Sequence, residues 1–187
     1  MLKRLTIGLL GGSFNPPHYG HMYITRESIK RLKLDMVWWL IVPQNPLKFN
    51  GGYDIHERTV LSSKLISGYR RVRIVKVQEC YSYNTVVKLQ SMFKHINFIW
   101  LMGSDNLLAF HLWYRWRDFC KLLPIIVFER TGYVYRFFGT PFVSYMRNMY
   151  FVNPQLLMYS KYGWSFIRLR TYSISSSEIR GYSLKKV

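Results

Sequence analysis

The amino-acid sequence predicts an α/β domain with a doubly wound parallel sheet, and three observations near its start carry this prediction. Residues 5–10 form an apolar run of strand length that leads into the pair Gly11-Gly12. Residues 22–34 then show amphipathic helical periodicity, and residues 36–42 form a second apolar run that ends at a proline. A strand, a helix and a strand of these lengths predict a βαβ unit with parallel strands, whose ligands bind at the carboxyl ends of the strands.

The other elements are predicted in chain order after this unit. Asp54 and Glu57 have capping-box spacing and indicate the start of a helix. Thr85 is expected to be the N-cap of the next helix. Further strands are predicted at residues 72–77, 96–102, 125–128 and 166–169. Residues 133–164 show weak periodicity and predict no element, and we expect residues 1–187 to form a single domain.

The stretch from Gly11 to His21 has the features of a phosphate-binding turn. Adjacent glycines let the backbone turn and come close to a ligand, and helical periodicity resumes at about Gly20. Unpaired N–H groups and the positive dipole end of a helix start attract an anion. His18 and His21 share one face of this helix start because they are three residues apart. Taken singly, a glycine pair is usually a turn and a histidine usually a solvated side chain, but the combination predicts phosphate binding.

A second helix start near the carboxyl terminus has the same character. Ser175, Ser176 and Glu178 give a serine-capped start with Ser-x-x-Glu spacing, and Arg180 follows two residues later. This arrangement predicts a second anion site. The alternative is an ordinary helix cap with an exposed arginine.

Polar and aromatic side chains follow the predicted strand at residues 96–102. Asp105 comes after Gly103, where a carboxylate can accept hydrogen bonds from ribose hydroxyls, although an aspartate at a helix N-cap is common. Phe110 is expected in the core. Trp113 is either a second core side chain or a stacking surface for a ligand ring, and we favour the ligand.

The chain is strongly basic, with 27 Lys and Arg against 9 Asp and Glu and a formal net charge of +18. Such a charge raises the possibility of nucleic-acid binding. The basic residues are spread along the chain, however, and no zinc-finger or RNP-type motif accompanies them. Carboxylates are too few in any region to build a paired-carboxylate site or an all-protein metal cage, so any metal is expected to be held mostly by substrate phosphates.

The compartment is predicted from the cysteines and the apolar runs. Cys80 and Cys120 are the only cysteines and lack metal-ligand spacing, which is typical of a reducing cytosol. The longest apolar runs are too short to span a bilayer, and the first leads directly into the glycine pair, unlike a cleaved signal peptide. We therefore expect a cytoplasmic protein without a membrane partner.

The segment Gly-Gly-Ser-Phe-Asn-Pro-Pro-His-Tyr-Gly-His, residues 11–21, resembles the signature of the nucleotidylyltransferase superfamily. Within it, the chain most resembles bacterial nicotinate-nucleotide adenylyltransferases, which implies a Rossmann-like fold. Asn15 departs from the aspartate usual in the family, so no role that needs a carboxylate is carried over to this position. Residues 174–180 also match the family, whereas residues 133–164 match it poorly.

The resemblance implies roles for the matching residues. The ATP-binding residues would be Gly11, Gly12, Ser13, Phe14, His18, His21, Gly103, Asp105, Ser175, Ser176 and Arg180. Nicotinate mononucleotide would contact Ser13, Lys48, Ser82 and Trp113. The catalytic residues would be His18, His21 and Arg180, which steady the phosphates. No protein residue is assigned to a metal, because Mg²⁺ would be held mainly by the ATP phosphates.

The activity implied by the resemblance is adenylyl transfer from ATP to nicotinate mononucleotide, a step of NAD biosynthesis. Two alternatives remain open at this point. The acceptor could be another phosphate ester, such as phosphopantetheine or nicotinamide mononucleotide, or the chain could be a basic nucleic-acid-binding module. Specific nucleic-acid binding is not expected, and a homo-oligomer is left open.

Overall fold

One parallel sheet of six strands organises the computed structural model, which describes residues 4–43, 52–130 and 137–169. The strands are β1 (Leu5–Gly12), β2 (Met36–Ile41), β3 (Val72–Lys76), β4 (Ile96–Gly103), β5 (Pro124–Phe128) and β6 (Gly163–Ile167). Their spatial order is β3-β2-β1-β4-β5-β6, and all neighbours are parallel. The winding direction therefore reverses between β1 and β4, which opens a crevice at their carboxyl ends. The doubly wound fold predicted from the sequence is confirmed.

Helices connect these strands across both faces of the sheet. They are α1 (Tyr19–Leu32), α2 (Ile55–Leu65), α3 (Ser82–Met92), α4 (Trp116–Phe119), α5 (Pro141–Tyr145) and α6 (Pro154–Leu157), with 3₁₀ helices at Ser104–Leu112 and Arg147–Met149. Over the described ranges, no helix combines the length and the apolar character needed to cross a bilayer.

Two apolar layers pack against the two faces of the sheet. Because neighbouring strand residues point to opposite faces, Leu9 lies in one layer and Leu10 in the other. The Leu9 layer is covered by α3, through Val86 and other residues, whereas the Leu10 layer is covered by α1 through Met22. Each strand end is thus held from both sides, which fixes the loops at the crevice.

The prediction that Thr85 caps the third helix is wrong. The helix begins at Ser82 with Tyr81 as its N-cap, and Thr85 is buried in its first turn. The Thr85 hydroxyl donates a hydrogen bond to the Tyr81 carbonyl oxygen at 3.2 Å. A threonine hydroxyl can either cap a helix or donate to a carbonyl oxygen of the preceding turn. The buried position of Thr85 favours the second arrangement.

Short helices occupy part of residues 133–164, where no element was predicted. Thr140 and Asn153 cap α5 and α6 with their side chains, and each is followed by a proline at the first helical position. This cap-proline pattern is a start signal visible in the sequence. Helical periodicity is weak because such short helices place only a few residues in the core, among them Phe142 and Leu157.

Candidate active site

The loop after β1 is built on a close approach between neighbouring strands. Gly11 and Gly12 are the last residues of β1, paired with Leu40 and Ile41, so they precede the turn instead of forming it. A Cβ at Gly11 would lie 2.4 Å from the Trp100 ring of β4, which excludes a side chain there. The left-handed conformation needed for the turn falls on a later residue, Phe14.

Phe14 supports the loop from below. Its backbone has φ of 47°, and the residue is 1% exposed. The ring stacks on Trp39, with centroids 4.8 Å apart, and also contacts the His21 ring at 4.6 Å. The Phe14 side chain therefore packs beneath the His21 ring and is not a ligand-facing group.

His18 and His21 cap the start of α1 reciprocally. The backbone N–H of Gly20 donates to His18 Nδ1 at 3.0 Å, and the N–H of His18 donates to His21 Nδ1 at 3.1 Å. The two ring centroids are 3.9 Å apart. Because each Nδ1 accepts a hydrogen bond, the ring proton of each neutral imidazole is assigned to Nε2. The structure thus brings the two predicted histidines together at the helix start, each with a donor nitrogen.

Asn15 ties this loop to the segment before α2. Its side-chain oxygen accepts a hydrogen bond from the backbone N–H of Tyr53 at 2.9 Å. An amide oxygen serves this contact as well as a carboxylate oxygen does, so the departure from the family aspartate does not remove it.

Arg58 is a residue of this site that the sequence did not reveal. It is 5% exposed, and its guanidinium lies under the loops that follow β1 and β2. An arginine in the first turn of an amphipathic helix is ordinarily solvent-exposed, and no local pattern distinguishes Arg58 from one of those.

The carboxyl end of β4 carries the next group. Asp105 Oδ2 is 2.8 Å from Arg130 Nη1, and the Arg130 backbone N–H donates to the Ser104 hydroxyl at 3.0 Å. A Cβ at Gly103 would lie 2.4 Å from Asp105 Oδ1, so glycine lets the carboxylate fold back over the strand end. Asp105 Oδ1 itself is buried and has no hydrogen-bond partner among the described residues.

Ser82 and Trp113 belong to neighbouring segments. Ser82 is the first residue of α3, and the Tyr81 side chain makes no capping hydrogen bond. The Tyr81 ring contacts the Tyr114 ring, with centroids 4.7 Å apart, so the start of α3 lies against the residue after Trp113. One face of the Trp113 ring stacks on Phe110 at 4.7 Å, while the residue stays partly exposed.

Four predicted site residues lie outside the described residues. Lys48 falls within residues 44–51, and Ser175, Ser176 and Arg180 fall within residues 170–187. Their assignments remain predictions from the sequence.

The described acidic side chains near the loops are already engaged. Asp54 and Glu57 accept backbone N–H groups in the capping box of α2, and Asp105 is paired with Arg130. Within residues 4–43, 52–130 and 137–169, no group of three His, Cys, Asp or Glu side chains is arranged to hold a metal ion. The donor set of the site, made of imidazole and backbone N–H groups, suits a phosphate better than a cation.

Comparison with known proteins identifies the family of this chain. A family model described as cytidylyltransferase-like matches residues 9–182. A probable nicotinate-nucleotide adenylyltransferase of Parvibaculum lavamentivorans is 39% identical over 149 residues, which are 78% of this chain and 74% of the relative. One from Brucella abortus is 32% identical over 194 residues, 97% of each chain.

Among solved structures, Plasmodium falciparum nicotinic acid mononucleotide adenylyltransferase complexed with NaAD superposes with a TM-score of 0.71. The match covers 95% of this chain and 83% of that one at 17% sequence identity, which supports the fold alone. The family model and the two relatives span most of the chain at substantial identity. The chain therefore belongs to the cytidylyltransferase-like family and, within it, to the nicotinate-nucleotide adenylyltransferases.

Proposed function

We propose that this protein transfers the adenylyl group of ATP to nicotinate mononucleotide, forming the dinucleotide and pyrophosphate in the cytoplasm. The observation that carries the proposal is the reciprocal capping of His18 and His21 at the start of α1. It brings two imidazole donors beside the helix N-terminus in the segment that follows β1, and together these groups would stabilise an anion.

In the proposed reaction, an oxygen of the 5′-phosphate of nicotinate mononucleotide attacks the α-phosphorus of ATP in line. The new P–O bond forms as the bond from the α-phosphorus to the bridging oxygen breaks, and the electron pair leaves with pyrophosphate. No covalent enzyme intermediate is needed, because the acceptor is already an ionised phosphate. Catalysis is then positioning and charge stabilisation, and the Nε2–H groups of His18 and His21 supply donors as charge builds on the phosphates.

ATP would be held from two sides. The buried Asp105 Oδ1 would accept a hydrogen bond from a ribose hydroxyl of the adenosine, while Arg130 keeps the other carboxylate oxygen in place. Ser175, Ser176 and Arg180 would hold the β- and γ-phosphates from the second predicted helix start. The Arg180 guanidinium would grip phosphate oxygens as a fork.

The acceptor would bind between the start of α3 and Trp113. The Ser82 hydroxyl and the N-terminal N–H groups of α3, which receive no side-chain cap from Tyr81, are all donors for the nicotinate carboxylate. Trp113, which stays partly exposed, would stack on the pyridine ring. The phosphate of the acceptor would reach Ser13, and Lys48 would add a positive charge.

Mg²⁺ enters the proposal as part of the substrate, Mg–ATP. The described carboxylates near the site are engaged in a capping box and an ion pair, so oxygen ligands would come mainly from the triphosphate. When bound, the ion neutralises charge on the leaving pyrophosphate.

The test is direct. The purified protein is incubated with ATP, Mg²⁺ and nicotinate mononucleotide, and both pyrophosphate and the dinucleotide are quantified over time. We expect equal amounts of the two products. Parallel reactions contain nicotinamide mononucleotide or phosphopantetheine as acceptor. Faster turnover of phosphopantetheine, or no pyrophosphate with any acceptor, would overturn the proposal.

A further inference from the structure

Arg58 donates hydrogen bonds to backbone carbonyls of three separate chain segments. Nη1 donates to the carbonyl oxygens of Ser13 at 2.7 Å and Val42 at 2.9 Å, and Nη2 donates to Pro43 at 2.7 Å. Nε donates to the Asp54 carbonyl at 3.2 Å, within the start of α2. The guanidinium thus uses the forked geometry that lysine lacks to join groups far apart in sequence.

The Ser13, Val42 and Pro43 carbonyls lie just beyond the ends of two paired strands. β1 and β2 are parallel neighbours whose pairing ends with Gly12 opposite Ile41, and the Val42 N–H reaches the Gly12 carbonyl at 3.4 Å. Past that point, the described residues after the two strands form no further ladder hydrogen bonds. Arg58 links the two strand ends there, because it donates hydrogen bonds to Ser13 and Val42, the first residues after β1 and β2.

The Ser13 contact determines the direction of the next peptide N–H. In a trans peptide the carbonyl and the following N–H point in opposite directions. Holding the Ser13 oxygen toward Arg58 therefore turns the Phe14 N–H away from the arginine. The Phe14 ring, stacked on Trp39, holds the same peptide from the other end.

Burial adds a reason to regard Arg58 as specialised. Arg58 is 5% exposed, yet all four of its bonds given above are to neutral carbonyls and none is to a carboxylate. Burial lowers the pKa of the guanidinium, and nearby Asp54 partly offsets this. A buried charge costs free energy, so its position under the phosphate loop calls for a compensating role.

We propose that Arg58 is a positioning residue of the active site, which sets the phosphate-binding loop of residues 11–18 against the carboxyl end of β2. The inference rests on the proposed adenylyl transfer for its kinetic consequence only. Arg58 acts through the loop backbone and does not touch the substrates. Its loss displaces the loop donors from the transition state, which lowers kcat more than it raises either KM.

Arg71 provides a matched control. It also donates to backbone carbonyls, those of Leu34 and Asp35. These lie just before the amino end of β2, whereas the crevice is at the carboxyl ends of the strands. If Arg58 were merely a structural tie, Arg58→Lys and Arg71→Lys of similar stability would have similar kinetics. A positioning role instead predicts a larger loss of kcat in Arg58→Lys than in Arg71→Lys.

The kinetic experiment compares Arg58→Lys, Arg58→Ala and Arg71→Lys with the parent protein. We expect kcat to fall roughly 10- to 100-fold in both Arg58 variants, as for an ångström-scale misplacement, and less than threefold in Arg71→Lys. Millimolar guanidinium should restore part of the activity of Arg58→Ala, whereas methylammonium should not. A folded Arg58→Ala with near-parental kcat, or one that guanidinium does not improve, would overturn the proposal.

Amide hydrogen exchange gives a readout that does not depend on activity. Arg58→Lys should speed exchange in a peptide covering residues 11–18, and Arg71→Lys should not. This measurement also distinguishes a failure of the proposed function from a failure of the role assigned to Arg58. A parent protein that makes no pyrophosphate refutes the proposed function, while unchanged exchange in Arg58→Lys refutes the role of Arg58.

Discussion

His21 Nδ1 accepts the backbone N–H of His18 at 3.1 Å, so the two histidines of the phosphate loop hold each other in place. His18 in turn accepts the N–H of Gly20, which makes it the N-cap of α1. Each Nδ1 atom stabilises the helix start, and in the proposed reaction each Nε2 atom carries the proton offered to phosphate. A variant that removes a histidine loses both unless the new side chain keeps the cap.

His18→Asn separates these duties. Asparagine is among the best N-cap residues but has no donor at the position of Nε2, so the fold should keep its free energy of unfolding while kcat falls roughly a hundredfold or more. KM should change less than kcat, because the contact matters most as charge develops. His18→Ala should lose similar activity and also about 1 kcal/mol of stability, since the cap is gone.

Steady-state kinetics and urea unfolding of both variants check this prediction. His95→Asn is the matched control, because His95 is exposed and precedes β4 at the amino end of the sheet. Near-parental kcat in a folded His18→Asn would remove His18 from the mechanism.

Ser82→Ala should reduce the preference for nicotinate over nicotinamide mononucleotide. The Ser82 hydroxyl and the uncapped N–H groups of α3 are donors that a carboxylate satisfies, whereas an amide presents its own N–H₂ to some of them. An unsatisfied buried donor costs about 1–3 kcal/mol, so the parent should prefer nicotinate at least about tenfold in kcat/KM.

The ratio of kcat/KM for the two mononucleotides is the measurement. Trp113→Ala should lower turnover of both, because stacking reads the ring and not its substituent. Ser91→Ala, at the exposed end of α3, should leave the ratio unchanged. Equal kcat/KM for the two acceptors in the parent protein would contradict the assignment of nicotinate.

Cys120 and Cys80 should react very differently with iodoacetamide at pH 8. Burial raises the pKa of the Cys120 thiol to about 12, whereas Cys80 is exposed. Because thiolate is the nucleophile, mass spectrometry should find one labelled cysteine in the native protein and two after denaturation. The folded state holds the Cys120 proton more tightly, so this group stabilises the fold below about pH 9 and loses that contribution as pH rises toward 12. Equal labelling of both cysteines in the native protein would show that Cys120 is accessible.

Nucleic-acid binding should be weak, sequence-blind and confined to a basic groove between α1 and α2. The groove has a volume of about 910 Å³, and its rim carries Arg26, Lys30, Lys64 and Arg70, none of which is paired with a carboxylate in the part of the chain described. If all four contact phosphates of a single strand, the slope of log K against log salt should be about −3.

Fluorescence anisotropy with a labelled oligonucleotide at several salt concentrations measures this slope. The double variant Arg26→Glu/Lys64→Glu should lose the binding and keep adenylyl transfer. Submicromolar affinity at physiological salt, in a protein without adenylyl transfer, would reverse the functional assignment.

The sequence by itself determined the parts of this protein whose signals are local. The apolar runs and the histidines at the start of α1 are patterns visible within short stretches of the chain, whereas the need for glycine at position 11 comes from Trp100 of β4. The βαβ unit and the start of α1 beside the two histidines could therefore be predicted. The start of α5 also had a local signal, in Thr140 and its following proline, that the weak periodicity around it obscured.

Only the tertiary structure decided the contacts that hold the site in shape. Arg58 and Ser13 are 45 residues apart in sequence, and Arg130 and Asp105 are 25 apart. No local pattern couples such residues, because they meet only after the sheet has paired its strands in the order β3-β2-β1-β4-β5-β6. Hydrogen bonds act over about 3 Å, so packing and strand order determine which residues distant in sequence become partners. A helix cap, in contrast, bonds to residues only a few positions away, and its pattern is therefore visible in the sequence.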